Sequence, residues 1–182
     1  RNFYSIDLRG LPTEVSWDLG KRSANKLLEM HLMENGEHLK KIAMSVWGTA
    51  TMRSGGDEIC QLLALIGVIP VWDGPTRRVI DMEVIPLSIL GRPRVDVVLR
   101  ISGLFRDAFP QLIQMVNKAQ NIIAKLDEPI EMNPLSAAFK QGDNIGRVYG
   151  SAPGAYGAGL QALIDSGQWE SRSDIAQAYL EW

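Results

Sequence analysis

The sequence predicts an α/β fold with a mixed, partly parallel sheet that is covered by helices. A strand, a loop and a helix follow one another three times along the chain, and this order is typical of parallel sheets covered by helices. A further pair of strand-like segments predicts a hairpin, which makes the expected sheet mixed. The 182 residues are 46% hydrophobic and 22% charged, which fits one globular domain over residues 1–182.

The first part of the chain predicts two helices around one strand. A helix is expected to begin after Pro12 and to end at Gly36, because glycine commonly terminates helices. Residues 42–47 predict a short buried strand, and residues 48–56 a polar loop that contains glycine. A second helix is expected over residues 57–66.

The middle of the chain predicts a hairpin, a strand and a long helix. Residues 68–72 and 79–85 read as the two strands of the hairpin. Residues 95–101 predict a strand with one apolar face and with Asp96 and Arg100 on the other. One helix is expected after it, with an apolar stripe made of Phe109, Leu112, Ile113, Val116, Ala119, Ile123 and Leu126.

The last third begins with a polar, irregular stretch over residues 127–146. A short strand over residues 147–149 leads into a glycine-rich loop over residues 150–159. Two helices, over residues 160–165 and 173–180, finish the chain. The whole pattern predicts a three-layer arrangement of the Rossmann-like or flavodoxin-like kind.

Three polar loops follow predicted strands, after Trp47, Ile101 and Tyr149. In open α/β sheets, ligands bind in the crevice beyond the carboxyl ends of the strands. The pattern therefore predicts a ligand site that is built from these three loops.

The glycine loop over residues 150–159 matches nucleotide-binding motifs poorly. A P-loop needs a lysine followed by serine or threonine, and the dinucleotide fingerprint does not have the spacing of Gly154, Gly157 and Gly159. Two interpretations stay open. The loop either holds a carboxylate or phosphate on free N–H groups at a helix start, or forms a tight turn in which glycine supplies a positive φ.

Arginine and aromatic side chains accompany the other two loops. Arg100 and Arg106 would bind acidic groups bidentately at such a crevice. The structural alternative makes Asp107 a helix N-cap and Arg106 its salt-bridge partner. Trp47 with Arg53 would give an aromatic wall beside a polar floor for a flat ligand, and the alternative is a partly buried packing tryptophan.

The other titratable residues give little support for catalysis or metal binding. His31 and His38 have no further histidine or cysteine at ligand spacing, so no transition-metal site is predicted. The acidic cluster of Asp127, Glu128 and Glu131 favours a solvated helix end over a cation site or a base. No Ser/His/Asp or Cys/His arrangement predicts nucleophilic catalysis.

Charge and cysteine content indicate the class of protein. The net charge of −2 gives no reason to expect a nucleic acid or an anionic membrane as partner, and no segment approaches the ~20 apolar residues of a membrane span. The one cysteine, Cys60, cannot form an intramolecular disulfide, which fits a reducing cytoplasm. The chain starts at Arg1 without methionine and stops at Trp182 inside a helical pattern, so we expect a piece of a longer protein.

Several segments together carry a family resemblance that covers nearly the whole chain. In this order they resemble the large subunits of aerobic cobaltochelatase and magnesium chelatase. The segments are RNFYS (1–5), SVWGTATMR (45–53), GVIPVWD (67–73), LGRPRVDV (90–97), RISGLFRD (100–107), DEP and EMN (127–133) and GSAPGAYGAGL (150–160). Within the family, Arg53 and residues 156–160 favour the cobalt enzyme, and the magnesium-inserting subunit is the alternative.

The resemblance implies that this chain belongs to a subunit that binds a tetrapyrrole. Cobalt, as a substrate, would be inserted into hydrogenobyrinic acid a,c-diamide in cobalamin biosynthesis, while AAA+ ATPase and accessory subunits act as partners and hydrolyse ATP. The isolated piece is expected to be inactive, and no metal ligand or catalytic base is predicted. Chemistry and placement make seven residues candidates for binding the ring and its carboxylates: Trp47, Thr49, Arg53, Arg100, Ser102, Arg106 and Tyr156.

Two other interpretations stay open beside the cobalt and magnesium enzymes. The region could be a scaffold that docks the ATPase subunits, or the chain could be an unrelated small-molecule-binding α/β enzyme. One departure from the family is expected between Asn133 and Arg147, where its members carry a longer, charged helical stretch.

Overall fold

The computed structural model of the chain describes residues 7–151 and 160–181. Most elements lie where the sequence predicts them. After a short 3-10 helix at Leu8–Gly10, they are α1 (Glu14–Asn35), β1 (Lys41–Val46), α2 (Gly48–Ser54), α3 (Asp57–Ile66), β2 (Val68–Trp72), β3 (Val79–Val84), α4 (Leu87–Leu90), β4 (Asp96–Ile101), α5 (Gly103–Ala108), α6 (Pro110–Ala124), α7 (Pro134–Lys140), β5 (Val148–Gly150), α8 (Gln161–Ser166) and α9 (Arg172–Glu181).

The strands in the described ranges form two separate sheets. β1, β4 and β5 make a parallel sheet with β4 in the centre, and β2 pairs with β3 in an antiparallel hairpin. The predicted parallel strands and the predicted hairpin are confirmed. The hairpin, however, stands apart from the parallel sheet.

Helices cover both faces of the parallel sheet, which confirms the predicted three layers. On the inner face, Val97, Leu99 and Ile101 of β4 are buried in a core shared with α3 and with the apolar stripe of α6. On the outer face, the ring of Tyr179 in α9 lies over Arg100. Each buried Val, Leu or Ile stabilises the fold by about 1.5–3 kcal/mol, so the inner face contributes most of the stability.

α1 has the two end signals that the sequence predicts. The hydroxyl of Thr13 accepts a hydrogen bond from the N–H of Ser16 at 3.1 Å, which caps the first turn. Gly36 ends the helix with a φ of 72°, a conformation that suits glycine. The buried face of α1 packs against α3, where Gly20 leaves no room for a side chain: a Cβ there would lie 2.5 Å from the Cβ of Cys60.

Two segments predicted as irregular contain helices. Residues 48–54 form α2, because close packing of Gly48 against α5 overrides the weak helix propensity of its threonines and glycine. The stretch 127–146 contains α7, which begins with the cap Asn133 and with Pro134 in its first turn. An asparagine before a proline is a helix-start signal. The polar composition of the stretch nevertheless favoured an irregular segment.

The predicted single helix after β4 is two helices. The chain bends at Phe109, whose φ of −128° and ψ of 47° are not helical, and this separates α5 from α6. Asp107 lies inside α5, so the part of the structural alternative that makes it an N-cap is wrong. Ser102 caps α5 instead, because its side chain accepts a hydrogen bond from the N–H of Phe105.

The prediction that Glu128 belongs to a solvated helix end is also wrong. Its carboxylate accepts two hydrogen bonds of 2.8 Å from Arg94, whose side chain is only 1% exposed, and a third from Asn133. Burial opposes the ionisation of Glu128, but the hydrogen bonds and the charge of Arg94 outweigh this effect, so the pKa of Glu128 is lowered. Arg94 also donates to the carbonyls of Ile66 and Ile85, so this pair joins α3, the hairpin and the α6–α7 connection.

Candidate functional site

The carboxyl ends of the parallel strands meet at one edge of the molecule. β1 ends before Trp47, β4 before Ser102 and β5 before Ser151. Because β1, β4 and β5 are parallel and adjacent, the three exits lie side by side. The prediction that these three strands end at a common edge is therefore confirmed.

Hydrogen bonds through Ser102 join the first two strand ends. Its hydroxyl oxygen accepts from the N–H of Gly48 and from the N–H of Phe105, both at 3.2 Å, and its own N–H donates to the carbonyl of Val46 at 3.0 Å. A Cβ on Gly48 would lie 2.8 Å from the Cγ of Leu104. α2 and α5 thus start in direct contact, and only glycine fits at position 48.

Trp47 and two residues of α2 present groups to solvent at this edge. The side chain of Trp47 is 50% exposed, which leaves part of its ring open to a flat ligand and also fits the alternative of a partly buried packing tryptophan, so both interpretations stay predictions. Thr49 and Arg53 are exposed and four residues apart, which places them on one face of α2. Leu104, which the sequence interpretation did not single out, is 39% exposed at the start of α5.

Arg106 connects α5 to the end of β5. Its guanidinium donates to both carboxylate oxygens of Asp107, at 2.7 and 3.0 Å, and to the carbonyl of Ser151 at 2.6 Å. The salt bridge with Asp107 confirms that part of the structural alternative. The contact with Ser151 fixes the point where the chain leaves β5.

Arg100 lies on the outer face of the sheet, below the strand ends. Its Nη1 donates to the carbonyl of Tyr179 at 2.9 Å, and its guanidinium carbon lies 3.8 Å from the centre of the Tyr179 ring. In the sheet register it stands between Ser45 and Tyr149. Arg100 and Arg106 are therefore held by different elements, α9 and the end of β5.

The seventh candidate, Tyr156, lies outside the described residues, as does the glycine loop from position 152 to position 159. Both interpretations of that loop stay predictions. Of the other six candidates, the structure brings Trp47, Thr49, Ser102 and Arg106 to the strand ends, and Arg53 lies one helical turn further along α2 on the same face as Thr49. Arg100 lies on the outer face of the sheet.

One carboxyl group near α2 has a raised pKa. Burial raises the pKa of Glu58, and the neighbouring carboxyl of Asp57 adds to the effect. Ser54, at the end of α2, donates to Glu58 at 3.3 Å. Glu58 lies in the first turn of α3 and not in one of the three loops that follow the parallel strands. The buried thiol of Cys60, whose pKa burial raises to about 12, is not a nucleophile at neutral pH.

The described ranges contain neither a metal-binding cluster nor a helix that could cross a membrane. There, no three His, Cys, Asp or Glu side chains gather closely enough to hold a metal ion. In the same parts of the chain, every helix is too short or too polar for a membrane crossing.

Comparison with known proteins identifies the family. The family model described as CobN/Magnesium Chelatase matches residues 1–182. The chain belongs to this family. The resemblance that the sequence motifs carry is thereby confirmed.

Relatives within the family differ in their similarity to this chain. The aerobic cobaltochelatase subunit CobN of Pseudomonas aeruginosa is 50% identical over 100% of the chain and 16% of its own length. The magnesium-chelatase subunit ChlH of Oryza sativa subsp. japonica is 33% identical over 99% of the chain and 14% of its own length. The chain thus spans about a sixth of the length of its cobaltochelatase relatives.

A solved structure supports the fold. The catalytic subunit of cobaltochelatase from Mycobacterium tuberculosis superposes with a TM-score of 0.92 at 45% identity, over 100% of this chain and 16% of that one. The alignment with the Pseudomonas relative extends over 198 residues, more than the 182 of this chain. The relative therefore carries residues that this chain lacks, and their place between Asn133 and Arg147 stays a prediction.

Proposed function

We propose that this chain is part of the tetrapyrrole-binding large subunit of an ATP-dependent cobaltochelatase. The subunit takes part in inserting cobalt into hydrogenobyrinic acid a,c-diamide in cobalamin biosynthesis. The observation that carries the proposal is the identity over the whole chain, which is 50% with a cobaltochelatase subunit and 33% with a magnesium-chelatase subunit. Magnesium insertion into protoporphyrin is the alternative.

The strand ends have the chemistry that a tetrapyrrole requires. Its ring is flat and apolar, and the half-exposed indole of Trp47 offers a surface on which it can stack. The fringe of the ring carries carboxylates and amides, which suit the hydroxyl of Thr49 and the guanidinium of Arg53. Both side chains are exposed, and neither has a hydrogen-bond partner among the described residues.

Ser102 and Arg106 have a positioning role in this proposal. Ser102 holds the starts of α2 and α5 together, and Arg106 holds the carbonyl of Ser151 where the glycine loop begins. Both residues act by fixing the groups around the ring. Tyr156 remains a proposed ring contact from that loop.

The energy for metal insertion comes, in this proposal, from partner subunits. AAA+ ATPase and accessory subunits hydrolyse ATP in the cytoplasm, and cobalt is the substrate that enters the bound ring. The chain supplies the surface on which the ring is held, so the piece alone is inactive.

A reconstitution assay tests the proposal. The large subunit that contains this chain is combined with its ATPase partners, and metal insertion is followed by absorbance. We expect ATP-dependent insertion of cobalt into hydrogenobyrinic acid a,c-diamide and none of magnesium into protoporphyrin. Magnesium insertion with no cobalt insertion would establish the alternative.

A further inference from the structure

The outer face of the parallel sheet contains a cavity apart from the strand ends. It has a volume of about 440 Å³, which lies within the range of small-ligand sites. Strands β1, β4 and β5 form its floor and the end of α9 forms its wall. The lining residues that matter here are Ala43, Ser45, Val98, Arg100, Tyr179 and Leu180.

The polar groups of this cavity favour an anion. Arg100 uses Nη1 on the carbonyl of Tyr179, while its Nε and Nη2 have no acceptor among the described residues. The hydroxyl of Ser45, beside Arg100 in the register, has no hydrogen-bond partner in that part of the chain either. No acidic side chain is among the described residues that line the cavity. A guanidinium with two adjacent free N–H groups matches the two oxygens of a carboxylate.

Tyr179 presents the guanidinium in a fixed orientation. The ring lies 3.8 Å from the guanidinium carbon, and the carbonyl of the same residue accepts from Nη1 at 2.9 Å. These two contacts to Tyr179 fix the orientation of the Arg100 guanidinium, so less side-chain entropy is lost when a ligand binds. Ala43, Val98 and Leu180 add an apolar surface for the hydrocarbon part of the ligand.

The cavity is also within reach of the strand ends. Trp47 and Ser102 have extended backbones, with φ/ψ of −112°/131° and −74°/159°, so the alternation of the strands continues to them. Trp47 therefore follows Ser45 on the same face, two residues further along β1. Two residues of a strand span about 7 Å, a distance that a short carboxylate arm on a ring and its hydrogen bond of about 3 Å can cover together.

We propose that the outer-face cavity binds a carboxylate arm of an organic ligand through Arg100 and Ser45. Resting on the proposed function, the arm belongs to the tetrapyrrole whose ring lies against Trp47. The same chemistry would also take a free small carboxylate, and the test separates the two sources.

The test combines a change in the protein with a change in the ligand. The large subunit is titrated with hydrogenobyrinic acid a,c-diamide and with the same ring after esterification of its free carboxylates, with binding followed by absorbance. Arg100→Gln should weaken binding of the acid about tenfold or more and leave binding of the ester unchanged. Ser45 is exposed, so Ser45→Ala should leave the sheet folded. It should weaken binding of the acid by a smaller factor and leave binding of the ester unchanged.

Arg22→Gln is the matched control, because Arg22 is exposed on α1 and does not line the cavity; it should change neither titration. Equal weakening of acid and ester by Arg100→Gln, or no weakening of either, would overturn the proposal.

Propionate alone, observed by saturation-transfer NMR, separates this proposal from the proposed function. Propionate binding that depends on Arg100, without binding of either ring, would support the cavity and contradict the tetrapyrrole assignment. Ring binding that does not depend on Arg100, with no propionate signal, would support the tetrapyrrole assignment and contradict the cavity as a carboxylate site.

Discussion

Arg94 and Glu128 show how one ion pair can hold several elements at once. The two residues are 34 positions apart, and the arginine also binds backbone carbonyls at the end of α3 and after β3. Removing one member of a buried pair leaves the other charge without compensation. The stability of the hairpin and of the α6–α7 connection therefore depends on the charge of Glu128.

Glu128→Gln should reduce the free energy of unfolding at pH 7 by about 3–5 kcal/mol. The pKa of Glu128 is lowered in the folded chain, so its contribution is complete above the unfolded pKa and is lost as the pH falls through the folded pKa. The difference from wild type should shrink below about pH 4.5. Urea unfolding between pH 3 and pH 7 measures it.

Glu131→Gln is the control, since Glu131 is exposed and lies three residues away. A difference for Glu128→Gln that stays constant across this pH range, or that Glu131→Gln reproduces, would contradict the role of the pair.

At the scale of the elements, the contact between α1 and α3 depends on a glycine. A Cβ on Gly20 would lie 2.6 Å from the backbone N of Gln61 and 2.7 Å from the backbone O of Asp57, atoms that cannot move aside. Gly20 is also inside a long helix, where glycine is a poor helix former. The close approach of the two helices is the reason that glycine fits this position.

Gly20→Ala should therefore lower the free energy of unfolding by about 1–3 kcal/mol, as overpacking does, although helix propensity alone predicts a gain of about 1 kcal/mol. Thermal or urea unfolding shows whether the free energy of unfolding falls or rises. In the control Gly10→Ala, the new Cβ meets no atom within 4 Å, so stability should stay within about 0.5 kcal/mol. Stabilisation by Gly20→Ala would show that the helices can separate at little cost.

The elements that sequence reasoning located are those with local end signals. Thr13 and Gly36 mark the two ends of α1, and Gly67 ends α3. Alternating apolar and polar residues mark the hairpin and β4. α2 was missed because its residues favour a helix only when packed against α5. The break at Phe109 was missed because the apolar stripe continues across it.

For the candidate site, the sequence predicted the position of the loops but not the contacts of the side chains. Strand order placed three loops at one edge, and that follows from the pattern alone. The contacts of its side chains come from residues far apart in the chain: Arg100 meets Tyr179, 79 positions later, and Arg106 meets Ser151, 45 positions later. No local pattern specifies such pairs, so the position of Arg100 in a separate cavity needed the structure.

At the scale of the whole molecule, the parallel sheet separates two surfaces with different properties. The inner face is a closed apolar core, while the strand ends and the outer face carry the exposed indole and the guanidinium in the cavity. The chain covers about a sixth of the length of its cobaltochelatase relatives, and the scaffold interpretation assigns ring binding to the rest of such a subunit. The two accounts differ in whether Trp47 contacts the ring.

The most direct test is therefore a spectroscopic titration of the large subunit with hydrogenobyrinic acid a,c-diamide, comparing Trp47→Ala with Trp169→Ala. These tryptophans are similarly exposed, at 50% and 40%, but Trp47 directly follows β1, whereas Trp169 lies between α8 and α9. We expect Trp47→Ala to weaken binding about fivefold through lost aromatic contact, and Trp169→Ala to leave it unchanged. Equal affinity in wild type and both variants would contradict a ring site at the strand ends and favour the scaffold.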